Sequence, residues 1–243
     1  MCKNIGYEEC LAFINCHLNP QGLAHQAEPS MEPAITISRM TGSGGEIVAA
    51  GLAEFMQGHC PGHCHWTVFD KNLMEKVLED HHLPKRIAEF APESHKSMVT
   101  DIVEELLGLH PSSWTLVQQT VETILHLAQM GRVILVGRGA SVITSKLENV
   151  FHARLVGSLE KRIERVQQAQ DLGRQGALKF IEKQDKGRRR YLKDQFHKDI
   201  DDPTLYHLIV NTDRIGCEAA ARLIGNEVIR HFHLDRRLET AQG

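Results

Sequence analysis

The sequence lacks the features of a membrane protein, of a secreted protein and of a protein that mainly binds nucleic acid. No apolar run approaches the roughly 18 residues that a membrane-spanning helix requires, and the apolar run at 133–136 ends at Gly137. Glu8 and Glu9 lie where the apolar region of a signal peptide would fall. The net charge of −3 at pH 7 argues against a chain built mainly to hold nucleic acid.

The cysteines also lack a recognisable pattern. Six of them are scattered through 243 residues, without the spacing of a disulfide framework. We therefore predict a soluble cytoplasmic protein whose thiols are reduced, with no membrane partner.

One short segment is rich in residue types that bind metals: residues 59–65 read HCPGHCH. Thiolates and imidazoles are the ligands of structural zinc sites. However, no second Cys/His pair stands at a spacing typical of such sites. We therefore predict a surface loop without structural metal.

The composition divides the chain into three parts. Residues 1–33 form an N-terminal extension, in which Tyr7 to Leu18 have helical apolar spacing and a polar linker follows. This short helix either packs on the core or forms the contact of a homodimer. Residues 34–232 form the main domain, and residues 233–243 form a polar C-terminal tail.

In the main domain, short apolar runs alternate with segments of helical periodicity. Such alternation predicts an α/β fold, in which a parallel sheet is covered by helices on both faces. Ligands of these folds bind at the carboxyl ends of the strands. The predicted strands are 35–37, 66–69, 132–136, 150–156 and 208–210. The predicted helices include 84–90, 94–107, a helix from Ser112 or Ser113 to Gly131, 159–172, 175–198 and 216–232.

A glycine cluster connects the first strand to a helix, in the sequence AITISRMTGSGGEIVAA. Strand, glycine loop and helix together form a cradle for phosphate, because successive N–H groups can point at one anion. The standard motif G-x-x-x-x-G-K-[ST] also supplies a lysine and a hydroxyl. Aligned on Gly44, Gly45 stands at the lysine, Glu46 at the hydroxyl and Arg39 at the first glycine. A tight strand-to-helix connection without a ligand is the alternative.

Charged side chains follow the other strands or lie in the polar helix. They are Asp70 and Lys76, Arg138 between two glycines, Arg162 with Arg165, and Asp185 with Arg188, Arg189 and Arg190. Arginine matches phosphate geometry through its bidentate fork. Several arginine groups beside a glycine loop therefore indicate a site for more than one phosphate. For the basic run 186–190, a solvated helix face is the alternative.

Five segments in order carry a family resemblance: SRMTGSGG, WTVFDKNLMEKVL, ILVGRGA, QDKGRRRYL and DDPTLYHLIVNT. Together they closely resemble the cytidylate kinase-like family of P-loop proteins, from Ala34 to about Phe232. The resemblance implies a three-layer α/β/α fold with a parallel five-stranded sheet, the P-loop NTPase fold and a helical lid. It also implies phosphoryl transfer from ATP to a nucleoside monophosphate or a related small acceptor.

The resemblance implies a role for each matching residue, with ATP and Mg²⁺ bound. The implied catalytic residues are Arg188, Arg190 and Asp70, and Asp70 also places Mg²⁺. The implied donor-binding residues are Arg39, Thr41, Gly42, Ser43, Gly44, Gly45, Glu46 and Arg162. The implied acceptor-binding residues are Lys76, Arg138 and Asp185. Either Arg39 or Lys71 is a candidate for the positive charge that the glycine loop lacks.

The sequence departs from authentic cytidylate kinases at the positions that bear on selectivity and on catalysis. Gly139 replaces the Asp of their G-R-D motif, Ile181 and Glu182 replace the first half of their lid motif, and Gly45 replaces the loop lysine. Loss of the loop lysine and of the loop hydroxyl favours a second hypothesis, a nucleotide sensor or scaffold that binds without transferring. The arginines that remain in the lid, Arg188 among them, favour the enzyme.

Overall fold

The computed structural model describes residues 7–18, 32–62, 64–79, 93–107 and 115–234. These residues form a five-stranded parallel sheet with the strand order β2-β3-β1-β4-β5 and with helices on both faces. The strands are β1 (Ala34–Arg39), β2 (Thr67–Phe69), β3 (Val133–Val136), β4 (Val150–Val156) and β5 (Leu208–Asn211). The predicted α/β architecture of the P-loop kinase type is confirmed.

The helices agree with the predicted ones to within a few residues wherever the structure describes them. They are α1 (Tyr7–Leu18), α2 (Gly45–His59), α3 (Lys71–Glu79), α4 (Glu93–Leu107), α5 (Thr115–Met130), α6 (Ala140–Ile143), α7 (Leu159–Gln170), α8 (Arg174–Phe196) and α9 (Cys217–His231). The short helix α6 and a 3₁₀ turn at Pro203–Leu205 were not predicted. The predicted helix at 84–90 and the caps Ser112 and Ser113 lie outside the described residues.

The centre of the sheet is buried from both sides, which explains why the interior strand β3 is continuously apolar rather than alternating. The four residues of β3, an interior strand, are all buried. Helices α2 and α9 cover one face. Helices α1, α3, α4, α5 and α6 and the end of α8 contribute to the core on the other face. The register pairs Ile37 of β1 with Val136 of β3, and Arg39 of β1 with Leu155 of β4. These three strands therefore end at the same edge of the sheet, where the glycine loop begins.

The N-terminal helix α1 packs on the main domain. Phe13 and Ile14 are buried in its core, and the Phe13 ring meets the Phe69 ring edge-on at 5.4 Å between centroids. Packing on the core is therefore confirmed for this helix, whereas a homodimer contact stays a prediction. No helix among the described residues is long and apolar enough to cross a membrane.

A disulfide bond joins Cys16 of α1 to Cys64 in the segment before β2. The prediction that the thiols are reduced is thus wrong for this pair. The two cysteines are 48 residues apart, and only the packing of α1 beside β2 brings them together. Cys60 and Cys217 are not part of a disulfide.

Candidate functional site

The glycine loop between β1 and α2 has a backbone that requires glycine. Gly42 and Gly44 have φ angles of 79° and 81°, in the left-handed region that glycine adopts without strain. A Cβ atom on Gly42 would lie 2.5 Å from the carbonyl oxygen of Arg162, and one on Gly44 would collide with the Sγ atom of Cys217. The loop is therefore packed tightly against α7 and α9.

The same loop presents backbone donors. Within the described chain, the N–H groups of Gly44, Gly45 and Glu46 have no protein acceptor. They lie at the start of α2, where the helix dipole favours an anion. The loop thus retains the hydrogen-bonding capacity of a phosphate cradle.

The carboxylate of Asp185 in α8 holds the first residue of this loop. It accepts hydrogen bonds from the backbone N–H of Thr41 at 2.9 Å and from its hydroxyl at 2.8 Å. It also pairs with Arg162 at 2.6 Å and with Arg188 at 2.5 Å. Burial raises the pKa of Asp185, but the donors of Thr41, Arg188 and Arg162 outweigh burial, and the pKa is lowered. The resemblance implies that Asp185 binds the acceptor, but in this conformation protein donors surround its carboxylate.

Two arginines of α7 hold the loop from the other side. Arg162 donates to the carbonyl oxygen of Thr41 at 3.3 Å, and Arg165 donates to that of Gly42 at the same distance. Arg165 also pairs with Asp213 at 3.3 Å. Both side chains therefore support the loop through its carbonyl groups, and donor binding by Arg162 stays a prediction.

Three guanidinium groups line a small cavity of about 30 Å³ beside the loop. Arg39 comes from the end of β1, Arg138 from the turn after β3, and Arg188 from α8. Arg138 has a left-handed backbone, with a φ angle of 51°, and its side chain pairs with Glu75 of α3. Arg138 and Arg188 are paired with carboxylates in this conformation, and the binding of a multiply charged anion at the three arginines stays a prediction.

Asp70 occupies the end of β2 and also caps the next helix. One of its carboxylate oxygens accepts a hydrogen bond from the N–H of Leu73 at 2.8 Å. Mg²⁺ bound to phosphates needs only one or two protein carboxylates, with water completing its shell. Asp70 fits that requirement through its second oxygen. The side chain of Lys76 lies outside the described residues.

The described residues contain no cluster of three or more His, Cys, Asp and Glu side chains suited to a metal ion. Of the segment 59–65, Cys64 is engaged in the disulfide, and His63 lies outside the described residues. The absence of structural zinc from this segment stays a prediction.

Arg190 is not among the side chains that meet at the cavity. It pairs with Asp194 of the same helix at 3.2 Å, and its side chain is 78% exposed. The resemblance implies a catalytic role for both Arg188 and Arg190, but in this conformation only Arg188 lines the cavity. Successive residues of a helix point about 100° apart, so Arg188 faces the loop while Arg190 faces away from it.

A buried arginine beneath the cavity was not predicted from the sequence. Arg154 of β4 donates to the Ser38 hydroxyl at 2.9 Å and pairs with Asp201 at 2.5 Å. Asp201 also accepts a hydrogen bond from Arg189 of α8 at 3.0 Å. A signal was present, because His152 and Arg154 alternate with apolar residues in a strand that otherwise reads as core.

Comparisons with known proteins bear on the family and on the fold. The family model described as the cytidylate kinase-like family matches residues 34–214. The crystal structure of an uncharacterized protein from Eubacterium ventriosum ATCC 27560 is similar, with 22% sequence identity and a TM-score of 0.62 over 81% of this chain and 98% of that one. At this identity the likeness shows the fold alone. No curated protein matches the chain.

Proposed function

The chain belongs to the cytidylate kinase-like family, and we propose that it transfers the γ-phosphoryl group of ATP to a nucleoside monophosphate or a related small acceptor. The observation that supports this most directly is the convergence of Arg39, Arg138 and Arg188 on one cavity beside the glycine loop. Phosphoryl transfer depends on positioning and on neutralising charge, and both are provided by such a cluster.

In the proposed reaction, the glycine loop holds the donor. The N–H groups of Gly44, Gly45 and Glu46 would donate to phosphate oxygens, aided by the dipole of α2. Asp70 would hold Mg²⁺ through its free carboxylate oxygen, and that ion would neutralise charge on the phosphates.

The acceptor would lie on the other side of the cavity. Arg138 projects from a turn whose left-handed backbone places its guanidinium beside α3, and we propose that it binds the acceptor's phosphate together with Lys76. Glu75, which neutralises Arg138 in this structure, would be displaced by that phosphate.

The polar helix α8, with the preceding α7, is the proposed lid. Its Arg188 already reaches the loop, since it contacts the Thr41 hydroxyl and Asp185. A guanidinium at this position would stabilise the negative charge that develops on the transferring group. We propose residues 34–232 as the catalytic domain and the cytoplasm, where ATP is abundant, as its location.

A nucleotide sensor or scaffold is the second candidate, and one specific observation favours it. Gly45 and Glu46 stand where a standard loop has its lysine and its magnesium-binding hydroxyl. Such a protein would bind ATP without turnover.

An ADP-release assay with ATP·Mg²⁺ and a panel of nucleosides and nucleoside monophosphates tests the proposal. ADP release that depends on one acceptor class supports the enzyme. Tight ATP binding by calorimetry without release for any acceptor supports the sensor. No binding of nucleotide at all contradicts both candidates.

A further inference from the structure

The side chain of Arg39 runs across two glycines. A Cβ atom on Gly45 would lie 3.0 Å from Cγ of Arg39 and 3.5 Å from its Cδ. A Cβ atom on Gly137 would lie 3.0 Å from Cζ of Arg39 and would collide with Nη1. The aliphatic part of Arg39 therefore occupies the space beside Gly45, and its guanidinium rests on the backbone of Gly137.

This guanidinium has no direct partner among the residues that the structure describes. No carboxylate lies within ion-pair distance of Arg39 in the described chain, and no acceptor bonds to it. Burial and the nearby Arg188 and Arg138 lower its pKa to about 10, against the opposing effect of Glu46 and Asp70. Arg39 is half-buried and still charged at neutral pH, so it is a partly desolvated cation without a bonded anion among the described residues.

The other arginines around the loop differ from Arg39. Arg162 and Arg188 pair with Asp185, and Arg165 pairs with Asp213. Arg138 pairs with Glu75. Among the described arginines at the loop, Arg39 is thus the one whose counter-ion has to come from outside the protein.

The second candidate for this charge is Lys71, and its geometry is less suitable. Lys71 is the first residue of α3, its side chain is exposed, and its ammonium lies 3.8 Å from the carboxylate of Glu75 in the same helix. Arg39, in contrast, is half-buried and lines the cavity beside the loop.

We infer that Arg39 supplies, from strand β1, the cation that a lysine after the glycine loop supplies in standard phosphate loops, and that Gly45 is glycine because the Arg39 stem takes the space of that lysine. The ligand is the β- and γ-phosphates of a nucleoside triphosphate. The inference rests on the proposed function, since it presumes that the donor binds at this loop.

Calorimetry with ATP·Mg²⁺ tests the inference without any turnover. Arg39→Met keeps most of the stem but removes the charge, and it should weaken ATP binding roughly 10- to 100-fold. Arg39→Lys should lose less, because it keeps a cation. Arg230→Ala is the matched control: it removes an exposed arginine in the last turn of α9, at the far end of that helix from the glycine loop, and should leave the affinity unchanged. Thermal melting of each variant establishes that it is folded.

Moving the positive charge from position 39 to position 45 tests whether the charge itself is needed for ATP binding. The double variant Arg39→Ala with Gly45→Lys restores the standard arrangement and should bind ATP more tightly than Arg39→Ala alone. Gly45→Lys alone should not improve binding, because its side chain competes with the Arg39 stem for one space.

Equal ATP affinity of wild type and a folded Arg39→Met variant would overturn the inference while leaving the proposed function intact. Absence of ATP binding by the wild type would overturn the proposed function itself.

Discussion

The carboxylate of Asp185 accepts hydrogen bonds from both the backbone N–H and the hydroxyl of Thr41, although 144 residues separate the two. This pair joins the lid helix α8 to the start of the glycine loop. Helix α8 and the glycine loop are therefore held together through Thr41.

Loss of Asp185 should destabilise the protein. The side chains of Asp185 and Arg162 are only 13% and 11% exposed, so Asp185→Ala leaves the charge of Arg162 buried without its partner. We expect a loss of about 3–5 kcal/mol in the free energy of unfolding, measured by urea denaturation. Asp194→Ala removes an exposed carboxylate of the same helix and should cost less than about 1 kcal/mol. Equal losses in the two variants would contradict the prediction.

Removal of Arg188 should affect turnover more than ATP binding. If this guanidinium meets charge in the transition state, Arg188→Ala should lower kcat by about 10²- to 10⁴-fold with little change in ATP affinity. Arg190→Ala, on the exposed face of the same helix, should leave kcat nearly unchanged. A large loss of kcat in the Arg190 variant would mean that the lid rotates or moves during the reaction.

The stability of the protein should fall in mild acid because of His152. This residue is 6% exposed, and its Nδ1 lies 2.8 Å from the Thr36 hydroxyl. Burial, and secondarily His207, lower its pKa from 6.5 to about 4. Between these two values the unfolded chain takes up a proton that the folded chain does not. The free energy of unfolding should therefore decrease as the pH falls through this window, by up to about 3 kcal/mol.

Urea denaturation at several pH values measures this effect. His152→Gln should flatten the profile between pH 6.5 and 4, whereas substitution of the exposed His65 should leave it unchanged. A profile that is equally steep in the His152 variant would show that other groups cause the acid loss.

Reduction of the Cys16–Cys64 disulfide should loosen the N-terminal helix. The bond closes a loop of 48 residues, which by chain entropy corresponds to about 4 kcal/mol of stability. A reductant should therefore lower the melting temperature and expose α1 to proteases. In Cys16→Ser the same reductant should have no effect on either property. This response would make the packing of α1 sensitive to redox conditions.

Much of the fold was predictable because its signals are local. The β-branched run of β1, the glycines at 42–45 and the helical spacing after them each depend on neighbouring residues, and β4 was predicted with its observed ends. The order of the motifs also indicated the family, which the match over residues 34–214 confirms. The unpredicted elements α6 and Pro203–Leu205 are each about one turn long, too short for a periodic signal.

The organisation of the site depended on contacts between distant segments. Three consecutive arginines of α8 looked equivalent in sequence, yet Arg188 reaches the glycine loop, Arg189 binds Asp201, and Arg190 pairs with Asp194 at the surface. The helix separates them by about 100° each, but only the docking of α8 decides which of the three faces the loop.

The sequence by itself determined the strands, the glycine loop and the set of charged residues at the strand ends, since backbone propensity and periodicity are properties of short segments. The tertiary structure alone decided that Cys16 bonds to Cys64, that Asp185 holds Thr41 and that Arg39 lies across Gly45 and Gly137. Each of these contacts joins segments that are far apart in the chain, and their distances are set by how the helices pack on the sheet.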